Sequence, residues 1–259
     1  MEAEQCRVPG LDGRVALVTG AGRGIGAAVA EGLAASGARV ALHCHGSLEA
    51  ANALAARIGG RGGEAAVIQR DLTERGAADA LVEEAVGRLG GLDILVNNAG
   101  AMVDRRPLEA VDDAFIDAVL DLNVRPVIHA CRAAVPALSR GGGSIINVSS
   151  ISARTGGSPG SSVYSSAKAF ISTFTRSLAK ELAEEGIRVN AVSPGTVETD
   201  FHRRYSTPEK LERTRQSIPL RRLAAADDCV GTFLYLASES LSGYITGQVV
   251  EVNGGQLIA

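Results

Sequence analysis

The sequence predicts a doubly wound α/β fold: a parallel sheet with helices on both faces, built as a single domain over residues 1–259. Three observations carry this. Short strands, apolar almost throughout, alternate with helical patterns along nearly the whole chain, as expected of strands buried on both faces. A glycine-rich turn follows the very first of these strands. The 259 residues, 46% of them hydrophobic, contain no linker-like stretch and no repeat of solenoid period that would divide the chain.

The elements follow in order. Val15-Ala16-Leu17-Val18 is the first strand, ending at Thr19-Gly20, and Ile25, Val29 and Leu33 then recur at helical spacing up to Gly37. Val40-Ala41-Leu42 is the second strand, followed by an Ala-rich helix from Leu48 to Ile58 that Gly59-Gly60 closes. Ala65-Ala66-Val67-Ile68 is the third, with a helix from Glu74 to Leu89. Leu92-Asp93-Ile94-Leu95-Val96 is the fourth, and long helices fill Asp112 to Leu138. Ser144-Ile145-Ile146-Asn147-Val148 is the fifth, before a helix that carries Tyr164 and runs to Glu185. Arg188 to Val192 is the sixth, a helix covers Asp227 to Leu236, and Gln248 to Val252 is the last. Residues 1–10 form a polar tail. The segment 196–222 breaks the rhythm, being long, charged and without a strand; it reads as a flap beside a site.

Composition narrows the partners. A net charge of −3 with 21% charged residues gives no general reason for nucleic acid or an anionic membrane as partner. No apolar run approaches the ~18 residues of a membrane span. The start, Met1 to Cys6, is polar and acidic, unlike a secretory signal. Cys6, Cys44, Cys131 and Cys229 are far apart and form no Cys-x-x-Cys pair, so they read as free thiols of a reducing cytoplasm. His43 and His45 would share one side of a strand, but no neighbouring Cys, Asp or third His completes a metal site, and no metal is expected.

Thr19-Gly20-Ala21-Gly22-Arg23-Gly24-Ile25-Gly26 lies between the first strand and the first helix. Glycine there permits a tight turn, a close backbone approach to a pyrophosphate and close packing of helix on strand. The helix start then offers free N–H groups and a positive dipole end to the anion. In the usual dinucleotide pattern an acidic residue about twenty positions on binds the ribose 2′-hydroxyl of NAD. Here the second strand ends His43-Cys44-His45-Gly46-Ser47, with no carboxylate before Glu49. An Asp at Cys44 would repel a 2′-phosphate, and Arg23 in the loop adds a positive charge. Both favour NADP(H), with NAD(H) as the alternative.

Tyr164 and Lys168 stand four apart in Val-Tyr-Ser-Ser-Ala-Lys, one turn apart on one helix face. A cation beside a phenol favours phenolate, making the hydroxyl usable in proton transfer nearer neutral pH. Such a pair also occurs on solvated faces. Here Ala167, Phe170, Ile171, Phe174, Leu178 and Leu182 form an apolar stripe, and the pair falls on its edge, where a packed face would open towards a cleft.

With these residues the chain resembles the single-domain short-chain dehydrogenase/reductase family, from Leu11 to the C-terminus, and within it the 3-oxoacyl-carrier-protein reductase-like branch. The glycine motif matches Gly20, Gly24 and Gly26; Asn97-Asn98-Ala99-Gly100 matches the motif after the fourth strand; Asn123 the active-site Asn; Ser149-Ser150 the Ser; Tyr164 and Lys168 the Tyr-x-x-x-Lys; Pro194-Gly195 the motif after the sixth strand, with Thr199 following. Asp71-Leu72 resembles the site that caps the adenine ring. Ser150 precedes Tyr164 by fourteen residues where thirteen is commoner, which leaves Ser149 and Ser150 to be told apart; Ser150 is the expected one.

The resemblance implies a Rossmann fold and hydride transfer between a nicotinamide and a small-molecule carbonyl or secondary alcohol. Tyr164 would be the proton donor and acceptor, and Lys168⁺, with the oxidised nicotinamide, would lower its pKa and hold the ribose hydroxyls. Ser150 would bind the substrate oxygen, and Asn123 would kink its helix and hold a relay water. Ile25, Ser47, Asn98, Ala99, Gly100 and Val197 would join Arg23 and the motif residues in holding NADP(H). Ala101, Met102, Ile151, Ser152, Thr196, Phe201 and Tyr205 would line the substrate pocket. A homotetramer joined across the last strand is the family expectation. An NAD-dependent sugar or polyol dehydrogenase is the alternative enzyme, and a nucleotide-binding sensor without catalysis the alternative of another class.

Overall fold

The computed structural model describes residues 7–258, so Cys6 and the first part of the N-terminal tail lie outside it. Its strands are β1 (Val15–Val18), β2 (Arg39–Cys44), β3 (Ala65–Gln69), β4 (Ile94–Asn97), β5 (Gly143–Val148), β6 (Ile187–Pro194) and β7 (Val249–Val252). They pair in parallel in one seven-stranded sheet, in the order β3-β2-β1-β4-β5-β6-β7. The order reverses between β1 and β4, which opens a crevice at their carboxyl ends, where such sheets bind ligands.

The helices are α1 (Gly24–Ala35), α2 (Leu48–Gly60), α3 (Ala77–Leu89), α4 (Asp113–Asn123), α5 (Arg125–Leu138), α6 (Ser152–Thr155), α7 (Ser162–Glu181), α8 (Asp200–Tyr205), α9 (Pro208–Ser217), α10 (Asp227–Ala237) and α11 (Glu239–Ser242). Strand alternation sends Leu17, Ala41, Leu95, Ile145 and Val189 to one face, where they pack on Leu81, Ala134 and Ile171 of α3, α5 and α7. Ala16, Val40, Val96, Ile146 and Val192 face the other way, onto Val29, Leu54 and Phe233 of α1, α2 and α10. Both faces of the sheet are thus dry, which is why the strands read as unbroken apolar runs.

Several boundaries move. The helix expected from Glu74 begins at Ala77, because Gly76 takes the left-handed conformation (φ 75°) as its N-cap, and Asp71-Thr73 form a turn instead. The helix expected to reach Glu185 ends at Glu181 and tightens into a 3₁₀ turn over Ala183–Glu185. The long helical stretch from Asp112 is broken between Asn123 and Arg125, because Pro126 has no N–H for the Leu122 carbonyl. Segment 196–222 has no strand, but it folds into α8 and α9, and Val197 bridges Ala224. Phe170 does not belong to the buried stripe of α7. It is 43% exposed and stacks on Phe174 at 5.8 Å.

Candidate active site

One cavity of about 830 Å³ runs along the carboxyl ends of the strands, from the glycine loop to α7 and α8. Of the residues expected to bind cofactor or act in catalysis, all but Gly26 and Asn123 line it. These two stand directly behind its wall. A Cβ on Gly26 would collide with Asn98 Nδ2 and the Gly20 carbonyl, so α1 can start only because this position is bare. Asn123 lies behind Gly100, where a Cβ would come within 2.7 Å of Asn123 Oδ1 and 3.2 Å of Lys168 Nζ.

The glycine loop is braced from three sides. Asn98 Nδ2 donates to the carbonyls of Thr19 (2.8 Å) and Gly20 (3.2 Å), while Thr19 Oγ1 accepts from the backbone N–H groups of Asn98 and Ala99 (2.9 Å each). His43 Nδ1 accepts the Gly20 N–H (3.1 Å), and its Nε2 lies 3.0 Å from the Arg70 carbonyl. The ring thus ties three strand-end loops together and stays neutral, since burial pushes its pKa down. The third brace is Ser47, which fills the space a side chain at Gly22 would need. His43 and Gly22 escaped the sequence reading. Only the long-range contacts show that a strand-end histidine and a fourth glycine hold the loop.

This loop fits a dinucleotide: bare positions at a helix start that line the cavity at the sheet's switch point. Asp71 accepts from Thr73 N (2.9 Å) and Oγ1 (2.7 Å), bonds that hold its carboxylate pKa down and fix its direction. Pro194 ends β6, and Gly195 gives its N–H to the Val252 carbonyl (2.9 Å). Thr199 is the residue before α8, with no side-chain bond to the helix start, and a Cβ on Gly24 would lie 3.4 Å from its Cγ2. Arg23 is two-thirds exposed and sits 3.7 Å from Asp200 of α8, so its charge is shared between the loop and the flap.

At the other end, Tyr164 and Lys168 are both buried on α7. Lys168 Nζ donates to the Val148 carbonyl (2.9 Å) and lies 5.8 Å from the centroid of the Tyr164 ring. Ser150 lines the cavity with Tyr164 and acts to lower the phenol's pKa, while its Oγ accepts from Ser152 N–H (3.2 Å) and Ser152 Oγ (2.9 Å). Ser149 turns away, its Oγ donating to the Lys168 carbonyl (3.0 Å) and meeting Ser172 Oγ (2.7 Å). Strand alternation separates the two serines, and Ser150 is the one beside Tyr164. Asn123 Nδ2 donates to the carbonyls of Ala101 (2.8 Å) and Val119 (2.9 Å), while its Oδ1 is buried without a partner. The Val119 bond lies at the end of α4, where the helix breaks.

Burial dominates the electrostatics of the pair. It pushes the Tyr164 phenol up to about 12, with Ser150 acting in the lowering direction. Burial also brings the Lys168 ammonium down to about 8. Lys168 Nζ gives its hydrogen bond to the Val148 carbonyl. At neutral pH the site therefore holds a phenol and an ammonium, the states needed to donate a proton and to stabilise an oxyanion.

A family model described as "Enoyl-(Acyl carrier protein) reductase" matches residues 20–256. A short chain dehydrogenase from Burkholderia cenocepacia J2315, solved in complex with NADP, is similar at TM-score 0.88 and 37% identity, over 95% of this chain and 99% of that one. The chain belongs to the short-chain dehydrogenase/reductase family. Membership makes it an NAD(P)-dependent oxidoreductase of carbonyls and alcohols. Among its relatives is a 3-oxoacyl-[acyl-carrier-protein] reductase of Synechocystis, 39% identical over 96% of this chain and 98% of the relative. Another, of Rhizobium meliloti, carries the name "Probable galactose dehydrogenase GalD" and is 42% identical over 98% of this chain and 99% of its own length. An NADH-dependent reductase responsible for alginate metabolism is similar at TM-score 0.88 and 36% identity, over 96% and 99% of the two chains.

Proposed function

We propose that the protein is an NADP(H)-dependent ketoreductase with Asn123, Ser150, Tyr164 and Lys168 as its working residues. The observation that supports this most is the single cavity that Ser150, Tyr164 and Lys168 share with the glycine loop. The glycine loop with Arg23 and Ser47, Asp71-Leu72, Asn98 to Gly100, and Pro194-Gly195 with Val197 and Thr199 would hold the dinucleotide. A bound nicotinamide supplies hydride to a carbonyl carbon, or takes it from a carbinol. Tyr164 gives its proton to the carbonyl oxygen in reduction. Ser150 Oγ hydrogen-bonds that oxygen and fixes its place. Lys168⁺ stabilises the charge that develops there, and the free Asn123 Oδ1 is placed to hold a water that returns protons to Lys168.

The pH dependence follows from these states. Lys168 loses its charge as pH rises through about 8, so carbonyl reduction should fall above that pH while substrate binding changes less. Initial rates between pH 6 and 10 at saturating cofactor check this, and a flat profile contradicts it.

Two residues support NADP(H). Cys44, buried at the end of β2, leaves no carboxylate to repel a 2′-phosphate, and Arg23 lines the same end of the cavity. Cys44→Asp should move preference towards NADH by about tenfold or more, read by titrating both cofactors and following nicotinamide absorbance. An unchanged ratio would place the reading of the 2′-position elsewhere. The pairing of Arg23 with Asp200, and the names of the galactose dehydrogenase and the NADH-dependent reductase, favour the second reading: an NAD-dependent sugar or polyol dehydrogenase.

The proposed setting is a cytoplasmic homotetramer. Cys44, Cys131 and Cys229 are buried free thiols, in keeping with a reducing compartment, and no described helix is long and apolar enough to cross a membrane. β7 is a half-buried edge strand, and Tyr235, Leu241 and Tyr244 stand exposed on α10, α11 and the turn before it. Light scattering should give a mass of four chains, and a monomer would refute the assembly.

A further inference from the structure

Beyond Tyr164 the cavity is electropositive without compensation. Arg105, in the loop after β4, and Arg204 and Lys210, on α8 and α9, line it, and among the described residues none of their charged side-chain nitrogens has a carboxylate oxygen within 4.0 Å, the Asp104 carboxylate being taken by the Arg105 backbone N–H (2.7 Å). The cavity's own carboxylates are committed elsewhere. Asp200 pairs with Arg203 (2.9 Å) and Arg23 (3.7 Å), and Asp71 sits at the adenine end with Thr73. The cations also face one another. His202 is driven down to about 4 by burial and then by Lys210 and Arg105, and Lys210 is lowered by burial and then by Arg105 and Arg213. Gathering like charges in a half-enclosed space is unfavourable unless an anion joins them.

Arg105 is held in place by neutral groups. Its Nε donates to the Tyr205 carbonyl (3.0 Å) and its Nη1 to the Pro159 carbonyl (3.3 Å), which leaves Nη2 without a described protein acceptor. A Cβ on Gly160 would lie 3.2 Å from the Arg105 Cβ, so the two segments run close, and Arg106 gives its N–H to the Gly160 carbonyl (3.0 Å). Two residues earlier Val103, β-branched, sits at φ 67°, a conformation that strains such a residue, and its carbonyl accepts from the Tyr205 hydroxyl (3.4 Å). Three segments thus fix one guanidinium. Lys210 Nζ makes no described hydrogen bond at all. Arg105 is one aromatic layer away from the proton donor. The Phe201 ring is 5.8 Å from Tyr164 and 5.0 Å from Tyr205, whose carbonyl Arg105 holds.

We propose that the substrate is a small carbonyl or alcohol bearing its own oxyanion, a carboxylate or a phosphate monoester, which Arg105 and Lys210 bind across the Phe201–Tyr205 layer from Tyr164. The inference rests on the hydride-transfer reading and names the substrate class of that site. A guanidinium edge and an ammonium suit either oxyanion. The ligand is small because Arg105 is partly enclosed among the Pro159, Tyr205 and Gly160 segments. An acidic protein surface would instead meet the exposed Arg204 and Arg213 at the rim.

The test uses matched substrates with NADPH: a keto or hydroxy acid against its amide, and a sugar phosphate against the free sugar. The acid or the phosphate should be preferred in kcat/KM by at least about tenfold. That preference should fall about tenfold in Arg105→Gln and in Lys210→Gln through KM rather than kcat, and weaken with salt, while the remote exposed variant Arg140→Gln keeps it. Equal use of charged and neutral partners overturns the proposal. So does a preference that survives both variants, or one that moves only with Arg204→Gln and Arg213→Gln, which would mark an acidic macromolecule at the rim. Calorimetric binding of the acid and its amide to the NADPH-loaded protein reads the anion site by itself. Tighter binding of the acid without turnover of any substrate would fault the hydride-transfer reading and leave the anion site standing.

Discussion

Tyr164→Phe should fold as the parent does, bind NADPH with similar affinity, and lose about 10²–10⁴-fold in turnover. The ring is buried between α7 and Phe201, and its packing does not depend on the hydroxyl. What the hydroxyl does is donate. Burial pushes its pKa up to about 12, which keeps the proton on the phenol at neutral pH, and Ser150 lines the cavity with it. Phe keeps the shape and removes the proton that Tyr164 gives to the carbonyl oxygen. A direct exchange of that proton with water would leave much of the rate intact, so near-parental turnover would refute the role. Binding measured in parallel separates a lost proton donor from a lost fold.

Gly26→Ala should act at the other end of the cavity and by another route. Its new methyl group would meet the Gly20 carbonyl and Asn98 Nδ2, neither of which is free to move. Gly20 is itself at φ 66° and receives the His43 bond, and Asn98 is tied to Thr19. Overpacking of this kind costs about 1–3 kcal/mol, enough to lower the melting temperature by several degrees. The larger effect should fall on the cofactor, because α1 can no longer start where the loop lines the cavity. NADPH affinity is expected to drop about 100-fold, measured by titration, with Tyr164 and Ser150 undisturbed. Unchanged affinity would mean the loop tolerates a displaced helix start and that the phosphates are held elsewhere.

The two ends of the cavity were not equally legible in the sequence. Strands buried on both faces announce themselves as apolar runs, so β1 to β7 were placed to within a few residues. The glycine loop, Asn98, Asn123, Ser150, Tyr164 and Lys168 carry their meaning in local spacing. What escaped depends on distant segments meeting. α9 buries none of its residues and therefore has no apolar period to betray it. His43 looked like half of an incomplete metal pair, but it is the brace of the glycine loop, a role that exists only once the Arg70 loop and Gly20 are brought to it. Arg105 sits in irregular chain, and its value comes from Pro159 and Tyr205, 54 and 100 residues away. The partner of Lys168 escapes for a related reason. Four-residue spacing puts Lys168 on the same face, but it does not say that Nζ will reach the Val148 carbonyl.

The central claim is that this cavity moves hydride between a nicotinamide and a carbonyl with Tyr164 supplying the proton. Isotope transfer tests it most directly. NADPH carrying deuterium at the transferable position of its nicotinamide, turned over with a panel of charged and neutral carbonyls, should leave one deuterium on the carbinol carbon of the product, and Tyr164→Phe should leave almost none. NADPH bound by the parent protein, with no deuterium in any product across the panel, would contradict the account.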